Sequence, residues 1–180
     1  MKVFIAGPRA ISVLDAAVQV RLNNIYKSNY TVLVGDANGV DKAVQTYYSN
    51  LGFGNVIVYA CEGKARNNIG SWAIQSVAVP AHIKGFDYYA SKDKAMSDDA
   101  DYGFMIWNGE SKGTLSDIIN LTKADKKTVV YLTTTKAFYN IENFENLKEL
   151  VTICGEEAHA LFEKLCKPSA SPIFQQIALF

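Results

Sequence analysis

Short apolar runs alternate along the chain with longer segments whose apolar residues recur at helical spacing. Residues 2–6, 31–34 and 55–59 have the length and composition of buried strands. Between them, residues 13–28 and 41–51 each place their apolar side chains on one helical face. This alternation predicts a three-layer, Rossmann-like α/β fold, with a mostly parallel sheet of five to six strands and helices on both faces.

The central part of the chain combines a buried strand with a glycine-rich loop. An apolar run at 102–107 lacks alternation, which favours a parallel strand covered on both faces. The loop at 108–114 then leads into a predicted helix at 115–121. The unpaired N–H groups and dipole of a helix start attract an anion, and glycine lets a phosphate approach the backbone. A tight strand-to-helix connection is the alternative reason for the same glycines.

The segments around this centre are less regular. Residues 61–85 form an insert in which 66–77 could be helical, and a short helix at 91–97 would begin at Ser91. Ser12 is a plausible cap for the first helix. Trp72, Tyr88 and Tyr89 lie in or near the insert and could stack on a base.

The C-terminal part of the chain adds further elements to the same domain. A strand at 128–132, an edge strand at 137–141 and two helices follow, and the apolar tail at 173–180 is expected to pack on the protein. We therefore expect a Rossmann domain at 1–135 and a C-terminal extension, 136–180, that packs on it.

Three loops with glycines follow predicted strands and should meet at the carboxyl edge of the sheet, where such folds bind ligands. These loops are residues 7–9, 35–41 and 109–114. Arg9 directly follows a strand and could pair with a phosphate or carboxylate. The candidate ligand-binding residues are Gly7, Arg9, Gly35, Asp36, Asn38, Gly39, Gly109, Ser111, Gly113 and Thr114.

Composition excludes several classes of function. Lys plus Arg (18) equals Asp plus Glu (18), so the chain lacks the basic excess of a non-specific nucleic-acid binder. The two histidines have no metal-ligand pattern, and the three cysteines have no CxxC spacing, so we predict reduced thiols, no metal and no cofactor. No apolar run approaches a membrane span, and we expect a cytoplasmic protein.

Three motifs in the same order resemble the SMF/DprA–LOG (SLOG) superfamily of Rossmann-like proteins. FIAGPR at 4–9 is similar to its first strand and Gly-Ser-Arg loop. VGDANGVDKAV at 34–44 resembles the GGAxGVDxxA block of DNA-processing protein A. The run from Lys92 to Asp117, KDKAMSDDADYGFMIWNGESKGTLSD, resembles the arginine motif and GGxGT loop of the cytokinin-activating phosphoribohydrolases.

The resemblance implies a pocket for a nucleotide or nucleotide-derived ligand. Gly109, Ser111, Gly113 and Thr114 would match the phosphate loop, and Asp117 and Lys92 would stand at the catalytic glutamate and arginine positions. Both are departures, because aspartate is one methylene shorter and lysine lacks the bidentate fork of arginine. Asp117 could orient water or stabilise an oxocarbenium-like ribose.

Three functions remain open. The chain could cleave the N-glycosidic bond of a nucleotide, as a phosphoribohydrolase or a deoxyribosyltransferase-like enzyme does. It could instead sense a nucleotide signal without turnover, or process DNA as DNA-processing protein A does, although its zero net charge disfavours nucleic acid. The family resemblance and the apolar tail suggest a homodimer.

Overall fold

The computed structural model describes residues 1–167, so the apolar tail at 173–180 lies outside the described residues. Within this range the chain alternates between strands and helices as expected. The strands are β1 (Lys2–Ala6), β2 (Thr31–Val34), β3 (Val56–Cys61), β4 (Ala73–Val77), β5 (Tyr102–Trp107), β6 (Thr128–Leu132) and β7 (Ala137–Ile141). The helices are α1 (Ala16–Lys27), α2 (Val40–Asn50), α3 (Gly85–Asp99), α4 (Lys112–Lys123), α5 (Phe144–Cys154) and α6 (Glu156–Cys166).

The strands form one seven-stranded sheet in the order β4-β3-β2-β1-β5-β6-β7. All neighbouring strands are parallel except β6 and β7. The chain adds strands outward from β1 towards β4, and then returns to the other side of β1 with β5. This reversal places a crevice between the carboxyl ends of β1 and β5. The predicted Rossmann-like α/β fold is confirmed, with a sheet of seven strands.

Helices cover both faces of the sheet and create two apolar cores. On one face, α1 and α2 pack on β1, β2 and β3, with Val18, Leu22 and Tyr48 at full burial. On the other face, α3 to α6 pack on the sheet around the fully buried Trp107. The helices α5 and α6 therefore share the core of α4. Among the helices of residues 1–167, none combines the length and apolarity needed to cross a membrane.

The insert differs from the helix expected at 66–77. Its second half is β4, which pairs in register with β3 from Ala73 to Val77. Before the strand, the Asn68 side chain accepts from the N–H of Trp72 and donates to its carbonyl, which closes a loop. The sequence did not predict this strand, because β4 has neither an apolar run nor alternation. Its first four residues, from Ala73 to Ser76, are all exposed.

Two helix starts also differ from expectation. The first helix begins at Ala16, where Asp15 Oδ1 accepts from the N–H of Ala17 at 3.0 Å, so the cap is Asp15 rather than Ser12. The helix expected at 91–97 is the longer α3. Its cap position is Lys84, whose side chain makes no capping hydrogen bond, so no cap residue marks its start.

Candidate functional site

A cavity of about 490 Å³ opens at the carboxyl edge of the sheet, beside the crevice between β1 and β5. All three predicted loops contribute to it. The loop after β1 supplies Gly7 and Arg9, the segment after β2 supplies Ala37 and Asp41, and the start of α4 supplies Ser111, Lys112, Gly113, Thr114 and Asp117. Residues of α3 and Arg66 of the insert complete the wall.

The start of α4 presents an open helix N-terminus, fixed by local hydrogen bonds, to this cavity. Asn108 Oδ1 accepts from the N–H of Ser111 at 2.9 Å, and Ser111 Oγ accepts from the Thr114 hydroxyl at 3.0 Å. No atom of residues 1–167 lies within 4 Å of a Cβ added to Gly113, so this position faces open space. Free N–H groups, the helix dipole and the adjacent Lys112 together favour an anion here.

A cluster of charges lies at the inner wall of the cavity, and we call it the Lys92 cluster. Its members Lys92, Asp41, Asp93 and Asp117 line the cavity, whereas Asp36 lies behind this wall. The ammonium of Lys92, on α3, lies 2.5 Å from Asp93 Oδ1 and 4.0 Å from Asp36 Oδ1. Lys92 is only 3% exposed, and Asp36, Asp41 and Asp117 are 3%, 5% and 4% exposed. The Lys92 ammonium therefore pairs with Asp93 and Asp36, and its charge also acts on the nearby carboxyl groups of Asp41 and Asp117.

Asp36 is held as a carboxylate by the insert. Burial opposes its ionisation, but hydrogen bonds from Arg66 and the charge of Lys92 bring the pKa of Asp36 below its ordinary value. Arg66 donates from Nε to Oδ2 at 2.8 Å and from a terminal nitrogen to Oδ1 at 2.7 Å. Its backbone N–H also donates to Oδ2 at 3.0 Å.

Two other members of the cluster retain protons more readily. Burial, reinforced by the charge of Asp93, raises the pKa of Asp41 to about 6 against the attraction of Lys92. Burial also raises the pKa of Asp117 well above its ordinary value, and Asp93 and Asp41 add to this effect. Asp117 Oδ1 is buried without a hydrogen-bond partner among residues 1–167. The Lys92 cluster therefore combines the ionised carboxylate of Asp36 with the carboxyl group of Asp117, which favours its protonated form.

Lys92 remains charged in spite of its burial. Desolvation opposes its charge, but Asp93, Asp41 and Asp36 raise the pKa of Lys92 above its ordinary value. Within residues 1–167, no group of three or more His, Cys, Asp or Glu side chains is arranged to hold a metal ion. The ammonium of Lys92 is thus the counter-charge that the carboxyl groups share.

Three cationic side chains lie over two aromatic rings at the mouth of the cavity. The guanidinium groups of Arg9 and Arg66 lie 5.1 and 4.5 Å from the centre of the Tyr89 ring. The ammonium of Lys112 lies 3.7 Å from the centre of the Phe86 ring. These cations would meet a negatively charged ligand first, while the carboxyl groups of the Lys92 cluster lie deeper.

Several of the predicted ligand-binding residues do not line the cavity and instead help to shape the loops around it. Gly35 lies beneath it, where an added Cβ would be 2.8 Å from the Lys92 ammonium. Gly39 and Gly109 have φ angles of +80° and +82°, which L-residues rarely adopt. Asn38 accepts a hydrogen bond from Asn67 at 3.2 Å.

The aromatic residues singled out in the insert have different positions. Tyr89 lines the cavity. Trp72 donates from Nε1 to the carbonyl of Phe53 at 2.8 Å and packs against the core beneath α1 and α2. The backbone carbonyl of Tyr88 accepts from the thiol of Cys61 at 3.1 Å. Sequence reasoning missed the contributions of Arg66, Phe86, Lys112 and Asp93. The first three make their contacts with distant segments, whereas Asp93 pairs with the adjacent Lys92 and its place at the cavity follows from the position of α3.

Comparison with known proteins gives a fold but no family assignment. No family model matches the chain, and no curated protein matches it significantly. Among solved structures, DNA processing protein A from Helicobacter pylori superposes with a TM-score of 0.59 over 92% of this chain and 80% of that one, at 14% identity. The chain shares its fold with DNA processing protein A. The resemblance to SLOG proteins is therefore confirmed at the level of the fold. The Helicobacter pylori protein binds single-stranded DNA.

Proposed function

We propose that the cavity binds a nucleotide or nucleotide-derived ligand and that the Lys92 cluster acts on the N-glycosidic bond of this ligand. One observation carries the proposal. The open N-terminus of α4 lines the same cavity of about 490 Å³ as Asp117, whose Oδ1 is buried without a hydrogen-bond partner among residues 1–167. A phosphate can therefore bind at one end of the ligand while a carboxyl group approaches its other end.

Three positively charged features of the cavity wall support the proposed phosphate site. The first-turn N–H groups of α4 supply donors and partial positive charge. Arg9 and Lys112 lie at the mouth over the rings of Tyr89 and Phe86. Guanidinium and ammonium groups bind phosphate through charge-assisted hydrogen bonds, which are stronger than neutral ones. The open space around a Cβ built at Gly113, measured against residues 1–167, leaves room for a phosphate to approach.

The proposed reaction at the sugar depends on the protonation states of Asp117 and Asp41. Burial raises the pKa of Asp117 well above its ordinary value, which suits an acid, and we assign this role to Asp117. Asp41, whose pKa is about 6, is mostly ionised at neutral pH and is assigned as the base. As the bond between C1′ and the base nitrogen breaks, Asp117 donates its proton to that nitrogen. A water molecule attacks C1′ and gives its proton to Asp41. Transfer of that proton from Asp41 back to Asp117 completes the cycle.

Incubation with a panel of nucleoside monophosphates tests this function directly. We expect free base and ribose 5-phosphate in equal amounts, measured by chromatography, together with ligand-induced stabilisation in a thermal-shift assay. Stabilisation without products would contradict the enzymatic step and support a nucleotide sensor. The absence of both would refute nucleotide binding in this cavity.

Single-stranded DNA binding is the second candidate, and the shared fold with DNA processing protein A favours it. Equal numbers of acidic and basic residues argue against strong backbone binding. Anisotropy of a labelled oligonucleotide at low salt decides between the candidates. Tight binding that weakens steeply with salt would support the DNA interface, whereas no binding at low salt would exclude it.

Gly113→Val is expected to abolish ligand-induced stabilisation while leaving the fold intact. The valine methyls would enter the open space at the start of α4, where the phosphate is proposed to bind. We expect affinity for the stabilising nucleotide to fall at least about 100-fold, the equivalent of losing roughly 3 kcal/mol of phosphate contacts. Titration by thermal shift measures the change.

Gly54→Val is the matched control for this substitution. An added Cβ at Gly54 also meets no atom of the described part of the chain within 4 Å, and Gly54 is not a lining residue of the cavity. Both variants lose the same backbone freedom of glycine in the unfolded chain. If Gly113→Val binds the nucleotide as well as Gly54→Val does, the phosphate position is wrong.

A further inference from the structure

The strand β4 forms one edge of the sheet and is unusually open. It stands at one end of the sheet order and pairs with β3 on its inner side. Four of its five residues are exposed, and Ile74 keeps 43% of its surface accessible. An edge strand of this kind presents unpaired backbone groups to other chains.

The sequence around β4 lacks the usual protection of an edge. Residues 67–83 contain no Lys, Arg, Asp or Glu, and the one proline, Pro80, follows the strand. Protected edges carry charges, prolines within the strand or bulges. The opposite edge, β7, is mostly half-buried and lies beside the Lys127–Glu142 ion pair. The two edges of the sheet therefore differ, and only β4 combines exposure with a lack of charge among residues 1–167.

The direction of the backbone groups in β4 follows from one hydrogen bond. The carbonyl of Val77 accepts from the N–H of Glu62 at 2.9 Å, so Val77 directs its backbone groups towards the β3 side. Consecutive residues of a strand direct their groups to opposite sides. Ile74 and Ser76 therefore direct theirs outward. In agreement, the carbonyl of Ser76 accepts a 3.3 Å bond from the side chain of Gln75.

We propose that β4 pairs antiparallel with β4 of a second copy of this chain, about a two-fold axis at Gln75. Ile74 of each copy would then oppose Ser76 of the other, and each such pair would exchange both backbone hydrogen bonds. Gln75 would face its own copy in the non-hydrogen-bonded position, with Cα atoms about 4.5 Å apart. The two sheets would become one continuous sheet.

Self-pairing fits this strand better than pairing with an unrelated peptide. A two-fold axis places the residue on the axis opposite its own copy and brings its neighbours close to their own copies, so a charge there would lie near a like charge. The absence of charge in β4 removes that repulsion. Glutamine at the axis is self-complementary, because its amide carries both donors and an acceptor. In this register the outward backbone N–H and C=O groups of Ile74 in one copy are placed to bond with those of Ser76 in the other.

Charge exchange at Gln75 tests the pairing. Size-exclusion chromatography with light scattering should give wild-type protein a mass twice that of the 19.8 kDa chain. Gln75→Lys and Gln75→Glu should each weaken the dimer about tenfold or more, because like charges then meet at the axis. An equimolar mixture should restore the dimer, with a tagged Gln75→Lys chain retaining an untagged Gln75→Glu chain.

The controls distinguish this interface from a contact elsewhere on the surface and from loss of the fold. Asn50→Lys adds a charge at another exposed position, at the end of α2, and should leave the dimer intact. Circular dichroism should show that the Gln75 variants keep the fold, since the side chain is exposed. A monomeric wild-type protein at hundreds of micromolar would overturn the proposal. Dimers that persist in both Gln75 variants would also overturn it, because the interface would lie elsewhere.

Discussion

Replacing Lys92 by methionine is expected to lower the free energy of unfolding by about 3–5 kcal/mol. Lys92 is 3% exposed, and its ammonium is the shared counter-charge of Asp36, Asp41, Asp93 and Asp117. Removal of one partner from a buried ionic cluster leaves the others without compensation, which costs more than the pairing itself contributes. Urea denaturation at neutral pH measures the difference.

Lys94→Met provides the control on the same helix. Lys94 is also in α3, but its side chain is 58% exposed and pairs with Asp98 across one helical turn. An exposed pair of this kind contributes about 0.3–0.5 kcal/mol. Equal losses of stability in the two variants would show that the Lys92 cluster has no special energetic role.

The pH dependence of Lys92→Met should identify the cause of its instability. A group whose folded pKa is raised stabilises the fold below its unfolded pKa, and this contribution disappears as pH rises through the folded pKa. For Asp41 in the wild type, this stabilising contribution is lost between about pH 3.8, its ordinary pKa, and about pH 6, its pKa in the folded protein. Without Lys92 the carboxyl groups should keep their protons to higher pH. The variant should therefore lose stability more steeply than wild type between about pH 5 and 8, and recover on acidification.

The sequence predicted the scaffold of the site better than its chemistry. Buried strands and amphipathic helices leave local patterns, so the fold and the three loops at one sheet edge could be anticipated. Arg66 could not be assigned, because its role depends on Asp36, thirty positions earlier, and lies in a segment without periodicity. The strand β4 was missed because it is exposed, and exposure removes the apolar pattern on which strand prediction depends.

The glycines illustrate the same limit at the level of single residues. Gly39 and Gly109 are required by positive φ angles, whereas Gly113 adopts no such angle and faces open space. The sequence alone cannot separate a glycine needed for a turn from one that admits a ligand. Lys92 likewise was predicted as a catalytic residue, and its burial among carboxyl groups now supports an electrostatic role as well.

Asp117→Asn is expected to reduce turnover of the nucleotide by about 10²–10⁴-fold while leaving its dissociation constant within a few-fold of wild type. Asparagine keeps the size of the side chain but cannot donate the proton that the leaving base requires. The phosphate contacts lie at the start of α4 and at the mouth of the cavity, so they remain. Product release by chromatography measures turnover, and calorimetric titration measures binding.

Two further variants sharpen the interpretation of Asp117→Asn. Asp117→Glu keeps the acid and should retain part of the activity. Asp125→Asn removes an exposed acid just beyond the other end of α4 and should be neutral. Unchanged turnover in Asp117→Asn would exclude Asp117 as the acid.

Stability gives an independent measure of Asp117 that does not require turnover. Burial raises the pKa of Asp117, so wild-type protein should lose stability as pH rises through that value, whereas Asp117→Asn has no carboxyl to ionise and should lose less. If the protein only binds nucleotides, this difference in pH dependence should persist although no turnover is seen. A buried carboxyl that shows neither effect would be an ordinary helix residue, and the Lys92 cluster would then be structural rather than chemical.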